Sequence, residues 1–218
     1  MKCAIIPVTP FQQNSTLVWS EKTMVGASID PGGDIDQILS MRDEIGMTIE
    51  KIFLTHGHLD HASGTVNLAS RLGVPVEGPH EDDAFLLDAL PAQAQKYGFP
   101  ETAAVKPDRW LKDGDSVEAG GLTFDVRHCP GHTPGHVVFH HADDKLAIVG
   151  DVLFQGSIGR TDFPRGNHAA LIHSITTRLW PLGGDTAFVP GHGQMSNFAA
   201  ERQSNPFVSD AVLEASAT

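Results

Sequence analysis

The segment LTHGHLDH, residues 54–61, places three imidazoles and one carboxylate within six positions: His56, His58, Asp60 and His61. Imidazole and carboxylate side chains are ligands for zinc, iron and manganese. In extended chain, residues two apart point to the same side, so His56 and His58 address one cation. If the chain then turns into a helix at Leu59, Asp60 and His61 face a second point nearby. One tetrahedral ion cannot easily take four groups from so short a segment, so the spacing suggests two adjacent metals. The competing reading is a polar surface loop, which fits poorly with a chain that has only 12 His in 218 residues.

Further ligands must come from elsewhere, and three candidates follow apolar runs: His132 in CPGHTPGH, Asp151 in AIVGDVLF and His192 in FVPGHGQ. A carboxylate has two oxygens, so Asp151 could bridge the metals while imidazoles fill the outer positions. His136, His140 and His141 lie in or beside a hairpin pattern and read as packed or solvated side chains. His80, His128, His168 and His173 read the same way. Cys129 reads as a buried thiol and not as a ligand. Tyr97, the one tyrosine, is a candidate substrate contact with ordinary packing as its alternative. Arg160 is a second candidate, set against an internal pair with Asp162.

The elements that must hold these residues alternate between strand and helix in two similar rounds. CAIIPV, STLVW and MVGASID read as strands, the last ending at Asp30. Asp34 can cap a helix with Ile35, Ile38, Leu39 and Ile45 on one face, stopped by Gly46. EKIFLT reads as a buried strand running into the His cluster, and ASGTVNLASRLG as the helix after it. Residues 81–107 read as helix and loop broken at Pro91 and Pro100. LTFDVRHC, GHVVFHH and KLAIVGDVLF read as strands, the last two joined through an Asp143–Asp144 turn. Asn167 heads a helix with Ile172, Ile175 and Leu179 on one face, and TAFVP is a late strand. Both rounds thus put polar clusters at strand ends, where loops gather ligands.

Hydrophobic residues make up 40% of the chain, enough to build a core. A formal net charge of −12 disfavours nucleic acid and anionic membrane as partners. The first residues, with one Lys and a short apolar stretch broken by Pro7 and Pro10, make a poor signal peptide, and no run has membrane-spanning length. Cys3 and Cys129 form no C-x-x-C pair. They read as free thiols in a reducing cytoplasm, with a single disulfide as the alternative.

The ordered set Asp30, His56-x-His58-x-Asp60-His61, His132, Asp151 and His192 resembles the metallo-β-lactamase superfamily over most of the chain. That resemblance implies an α+β fold, a four-layer αβ/βα sandwich with its active site at one edge between the two sheets, as a single domain over residues 1–218. It also implies that His56, His58 and His132 hold a first divalent metal, that Asp60, His61 and His192 hold a second, and that Asp151 bridges them. Zinc is the first expectation, and iron or manganese suits the same ligands. Asp30 matches a position that supports the ligands from behind.

Within the superfamily, GDVLFQGSIGRTDFPRG and PGHTPGHVVF are similar to the hydroxyacylglutathione hydrolases, or glyoxalase II. LPAQAQKYGF, PDRWL and ERQSNPF resemble their compact bacterial subclass. The implied reaction is hydrolysis of S-D-lactoylglutathione to D-lactate and glutathione by a metal-bridging hydroxide, oriented by Asp60. The alternative is a mono-iron persulfide dioxygenase, which GRTDF, residues 159–163, also resembles. A nuclease would need a basic surface, and a non-catalytic binding module would not need the unbroken ligand set. Longer glyoxalase II proteins grip glutathione with a C-terminal helical extension. Here 26 residues follow His192 with Arg202 as their one cation, so Arg160 is the expected anchor and a weak grip on the thiol half is expected.

Overall fold

The computed structural model describes residues 1–216. Runs rich in β-branched residues form two main sheets. The first contains β1 (Lys2–Val8), β2 (Gln13–Trp19), β3 (Val25–Ile29), β4 (Thr48–Phe53) and β5 (Val76–Glu77), in that spatial order. The strands β1 to β3 are antiparallel, whereas β4 and β5 join in parallel. Parallel joins need crossovers. These are supplied by α1 (Ile35–Ile45), then by α2 (Leu59–Ala62) and α3 (Thr65–Leu72).

After α4 (Ala84–Tyr97) the second sheet is built from β6 (Ser116–Ala119), β7 (Leu122–His128), β8 (Val137–His141) and β9 (Leu146–Gly150). A small hairpin, β10 (Leu153–Phe154) and β11 (Ser157–Ile158), and α5 (His168–Ser174) follow. Then come β12 (Ala187–Pro190), β13 (Ser196–Asn197), α6 (Phe198–Ser204) and α7 (Asp210–Ser216). The spatial order of the second sheet is β13-β12-β9-β8-β7-β6, with β12 and β9 parallel.

The two sheets face each other across an aromatic and aliphatic core. Phe53 of β4 lies 5.4 Å from Phe139 and 6.2 Å from Phe124, ring centre to ring centre. Ile38, Leu68, Leu87 and Leu90 of the first helices bury against the outer side of sheet one. Leu171, Ile175 and Phe198 do the same for sheet two, against Val138, Val149 and Phe188. Helix, sheet, sheet, helix is the four-layer α+β sandwich expected. Phe124→Ala removes a fully buried ring remote from the His loops. It should cost about 3–5 kcal/mol in urea unfolding while leaving metal content unchanged.

Four local expectations need correction. Pro91 lies inside α4 and does not break it. The carbonyl of Leu87, which has no proline N–H to accept, takes the N–H of Val105 instead (3.4 Å). The helix after the His cluster is divided into α2 and α3, and the carbonyl of Ser63 at the break accepts the Thr102 hydroxyl (2.5 Å). Asp34 stands at the N-cap of α1 without capping it, because its carboxylate accepts the Thr9 N–H (2.7 Å). The run KLAIVGDVLF is two strands, β9 and β10, with Asp151 in the turn between them. Asn167 does cap α5, accepting the Ala170 N–H at 2.9 Å. Both cysteines are free, and burial pushes the Cys129 thiol far above its usual range.

Candidate metal centre

The His-rich loop leaves the end of β4, His132 sits between β7 and β8, Asp151 follows β9, and His192 follows β12. All seven side chains meet at one edge of the sandwich. His56 Nε2 lies 3.0 Å from His58 Nδ1, which lies 2.9 Å from His132 Nε2. On the other side, His192 Nε2 is 3.2 Å from Asp60 Oδ2, and His61 Nε2 is 3.9 Å from the same oxygen. Asp151 lies between the two groups, with Oδ1 3.4 Å from His61 Nε2 and Oδ2 3.5 Å from His132 Nε2. Gly191 lets it in, since a Cβ there would stand 2.0 Å from Asp151 Oδ1.

The outward nitrogens of these rings settle their tautomers. His132 Nδ1 donates to the Arg160 carbonyl (2.7 Å) and His192 Nδ1 to the Phe11 carbonyl (3.1 Å). His61 Nδ1 donates to Asp30 (2.9 Å). His56 Nδ1 donates to the Thr55 hydroxyl (3.0 Å), which itself donates to Asp30 (2.6 Å). Each of these rings therefore turns an Nε2 lone pair inward, the orientation that outer hydrogen bonds give metal-bound imidazoles.

His58 Nδ1 stands 2.9–3.0 Å from two inward lone pairs, and one proton on it could serve only one of them, whereas a cation among the three nitrogens serves all. Bonds of about 2.0–2.1 Å to a tetrahedral zinc hold ligand nitrogens roughly 3.3 Å apart, close to the spacing here. The buried His61 Nε2 and Asp151 Oδ1 also have no hydrogen-bond partner. The donor set fits two divalent cations that share Asp151.

Electrostatics divide the rings into two kinds. Burial, then repulsion from neighbouring rings, pushes His56 well down and His58 to about 3. Burial also lowers His132, against the pull of Asp151. For His61 burial works in the same direction but is overcome by Asp151 and Asp60, which raise it well above the usual range. His192 is raised in the same way, by its bond to Asp60 and by Asp151. Burial opposes ionisation of Asp151, yet His61, His132 and His192 hold it far below the usual carboxylate range.

Several supporting residues escaped sequence reasoning. Asn14 in β2 donates to the carbonyls of Pro190 (3.0 Å) and Gly193 (2.9 Å), fixing the loop of His192. His136, read as a packing residue, is fully buried, stacks on His56 at 4.6 Å and accepts the Asp151 N–H (3.0 Å). Asp83, immediately before α4, accepts from Gly57 N (2.9 Å), Thr133 Oγ1 (2.8 Å) and Gly135 N (2.6 Å). Burial outweighs these bonds and pushes its carboxyl up to about 6. The run of four polar residues that opens β2, Gln13 to Thr16, was the one visible signal for Asn14. Asp83 read only as one acid among three.

The other histidines stay outside the centre. His168 and His173 are exposed on α5, and His140 and His141 are buried in β8. His80 and His128 stack in parallel at 4.3 Å with Asp82 beside them. His80 Nδ1 already accepts the Asp82 N–H and His128 Nε2 donates to the Pro134 carbonyl. The trio offers ligand atoms within 4.8 Å of one another, but it lies partly exposed and apart from the seven-residue centre.

A groove of ≈ 1240 Å³ opens over the centre, walled by Phe11, Leu86, Phe154, Ile158 and Phe163, with Gln93, Lys96 and Tyr97 at one side. Arg160 and Tyr97 both line it. The Arg160 guanidinium is already held by Asp162 in a two-pronged pair, both bonds 2.6 Å, and sits 4.4 Å over the Phe163 ring. The internal pair set against substrate contact is thus formed. Arg202 is likewise paired, with Asp210 at 3.0 Å.

Two facing sheets carry seven His and Asp side chains at their edge, and residues 8–192 match the Metallo-beta-lactamase superfamily model. The chain belongs to that superfamily. It is 45% identical to "Hydroxyacylglutathione hydrolase GloC" of Haemophilus influenzae, over 95% of this chain and 98% of the relative. Among solved structures, BLEG-1 B3 metallo-beta-lactamase is 33% identical with a TM-score of 0.87, over 95% of this chain and 99% of that one. TTHA1623 in a di-iron-bound form is 33% identical with a TM-score of 0.85, over 94% of this chain and 100% of that one. No helix among the described residues is long and apolar enough to cross a membrane.

Proposed function

We propose that the chain hydrolyses S-D-lactoylglutathione, or a closely related hydroxyacyl thioester of glutathione, to the acid and the free thiol. The observation that carries this reading is the pair of ligand groups sharing Asp151, in a chain 45% identical to a hydroxyacylglutathione hydrolase. His56, His58 and His132 would hold one cation, Asp60, His61 and His192 the other, with zinc as the native ion. Two such ions supply an acidified water and a Lewis acid at the substrate carbonyl. Asp60 stays ionised, because His61 and His192 outweigh its burial. Its carboxylate orients the attacking water and accepts the proton. A thiolate is stable enough to leave without an acid to protonate it. The phenyl rings of Phe11, Phe154 and Phe163 exclude bulk water from the acyl end. One core shared by both sheets supports a single domain over residues 1–218. Consumption of this thioester would place the chain in cytoplasmic methylglyoxal detoxification.

Lys96 is the groove cation that has no carboxylate partner among the described residues; its ammonium rests 5.0 Å over the Tyr97 ring. Lys96 and Tyr97 would meet the peptide half of the substrate, with Arg160 contributing less because Asp162 neutralises it. A thioester panel assayed on the zinc-loaded enzyme tests the reading, with oxygen uptake on glutathione persulfide as the competing outcome. Lys96→Ala should raise KM for the glutathione thioester about fivefold, the effect of one exposed charge contact of ~1 kcal/mol. KM for a thioester of a small neutral thiol should not move, and Arg160→Ala should have the smaller effect. Equal changes for both substrates would exclude Lys96 as a reader of the peptide.

A further inference from the structure

Asp83 contributes no ligand and lines no part of the groove, yet its side chain is fully buried with three hydrogen bonds. Burying a carboxylate is costly unless donors meet it, so a site that keeps one is using it. The donors lie on two loops that are more than 70 residues apart in sequence. Gly57 is the residue between His56 and His58, and Thr133 follows His132. One oxygen, Oδ2, takes both Gly57 N and Thr133 Oγ1, and Oδ1 takes Gly135 N. Gly135 allows this approach, because a Cβ there would stand 2.7 Å from Oδ1. All three imidazoles of the first ligand group thus hang from segments fastened to one carboxylate. Asp30 differs from Asp83, because it accepts from His61 Nδ1 of the second group and, through Thr55 Oγ1, also supports His56 of the first.

We propose that Asp83 is a positioning residue for the first metal site, holding the His56–His58 loop of one sheet against the His132 loop of the other. It acts selectively: the first site depends on it and the second does not. The inference rests on the two-site reading given above. An asparagine cannot replace the carboxylate here. Its oxygen can serve Gly57 N and Thr133 Oγ1, but its amide then faces the Gly135 N–H, donor against donor.

The test is a chelator titration of the zinc-loaded protein, followed by ring-nitrogen NMR of the histidines. In Asp83→Asn, His56, His58 and His132 should lose their metal-bound shifts at about 10–100-fold lower chelator concentration than in the wild type, the loss typical for outer partners of metal ligands. His61 and His192 should change little. Asp30→Asn should instead weaken both groups, since Asp30 reaches His61 directly and His56 through Thr55, and this is the unselective pattern against which Asp83→Asn is read. If Asp83→Asn fails to fold, Thr133→Val removes one of the same hydrogen bonds without altering charge and should show the same selectivity on a smaller scale. Parallel release of all five rings, or unchanged release from the first group, in folded Asp83→Asn or Thr133→Val protein overturns the assignment. A wild-type protein that holds fewer than two zinc ions overturns instead the two-site reading beneath it.

Discussion

Asp151→Ala should leave the chain with less than one zinc per molecule and reduce kcat/KM by about 10⁴, or ~5.5 kcal/mol of transition-state stabilisation. The size follows from position. The Asp151 carboxylate stands 3.4 Å from His61 Nε2, 3.5 Å from His132 Nε2 and 3.7 Å from His192 Nε2, so both ligand groups include it. Its removal takes one anionic ligand from each cation and opens a hole where no other acid reaches. Asp60→Ala takes a ligand from the second group alone, so metal analysis should find close to one zinc. The comparison is made by metal analysis and steady-state kinetics on the two variants. An Asp151→Ala protein that retains two zinc ions would refute the bridging role.

Acid should strip the two sites in sequence. His61 and His192 are raised by Asp151 and Asp60 against their burial, so without metal they hold protons more readily than an ordinary imidazole. A cation must displace those protons, and below each raised pKa its affinity falls about tenfold per pH unit per proton. The first group behaves oppositely: His56 and His132 are lowered and His58 lies at about 3, so protons compete there only in stronger acid. Metal content should therefore step from two to one as pH falls, and to none only at lower pH. Activity should follow the first step, and excess zinc should restore it. Simultaneous loss of both ions would contradict this division of the rings. Loss of activity at full metal occupancy would point to another titrating group.

The ligands were legible in the sequence because their signals are local. His56 and His58 declare themselves by spacing, and His132, Asp151 and His192 by following apolar strands. Apolar runs located most strands of both sheets, though not the short β5, β6 and β13, and Asn167 marked the start of α5. The supporting residues were not legible for the complementary reason: their partners are backbone groups distant in the chain. Asp83 bonds to Gly57 and Gly135, Asn14 to Pro190, and His136 to Asp151, so no short window contains the pair. Pro91 illustrates the same point in a helix. The residue that relieves its neighbour, Val105, is 14 positions on and in no regular element. Arg160 was the opposite case, since Asp162 stood two residues away as a visible competitor for its charge.

The distribution of ligands between the sheets has a consequence for folding as well as for chemistry. Sheet one supplies His56, His58, Asp60 and His61, whereas sheet two supplies His132, Asp151 and His192. Each ligand group draws on both sheets, so neither half of the chain can assemble a site alone. Bound ions would work as rivets through the seam between the layers. Free zinc at about 100 times its dissociation constant would add ~2.7 kcal/mol per site against unfolding. The same rivets would close late, because the ligands of the first group, His56 to Asp151, span 95 residues of chain and those of the second, Asp60 to His192, span 132. On this arrangement a nascent chain would mature in two stages, first as a sandwich and then as a metalloprotein, with metal supply acting on the second.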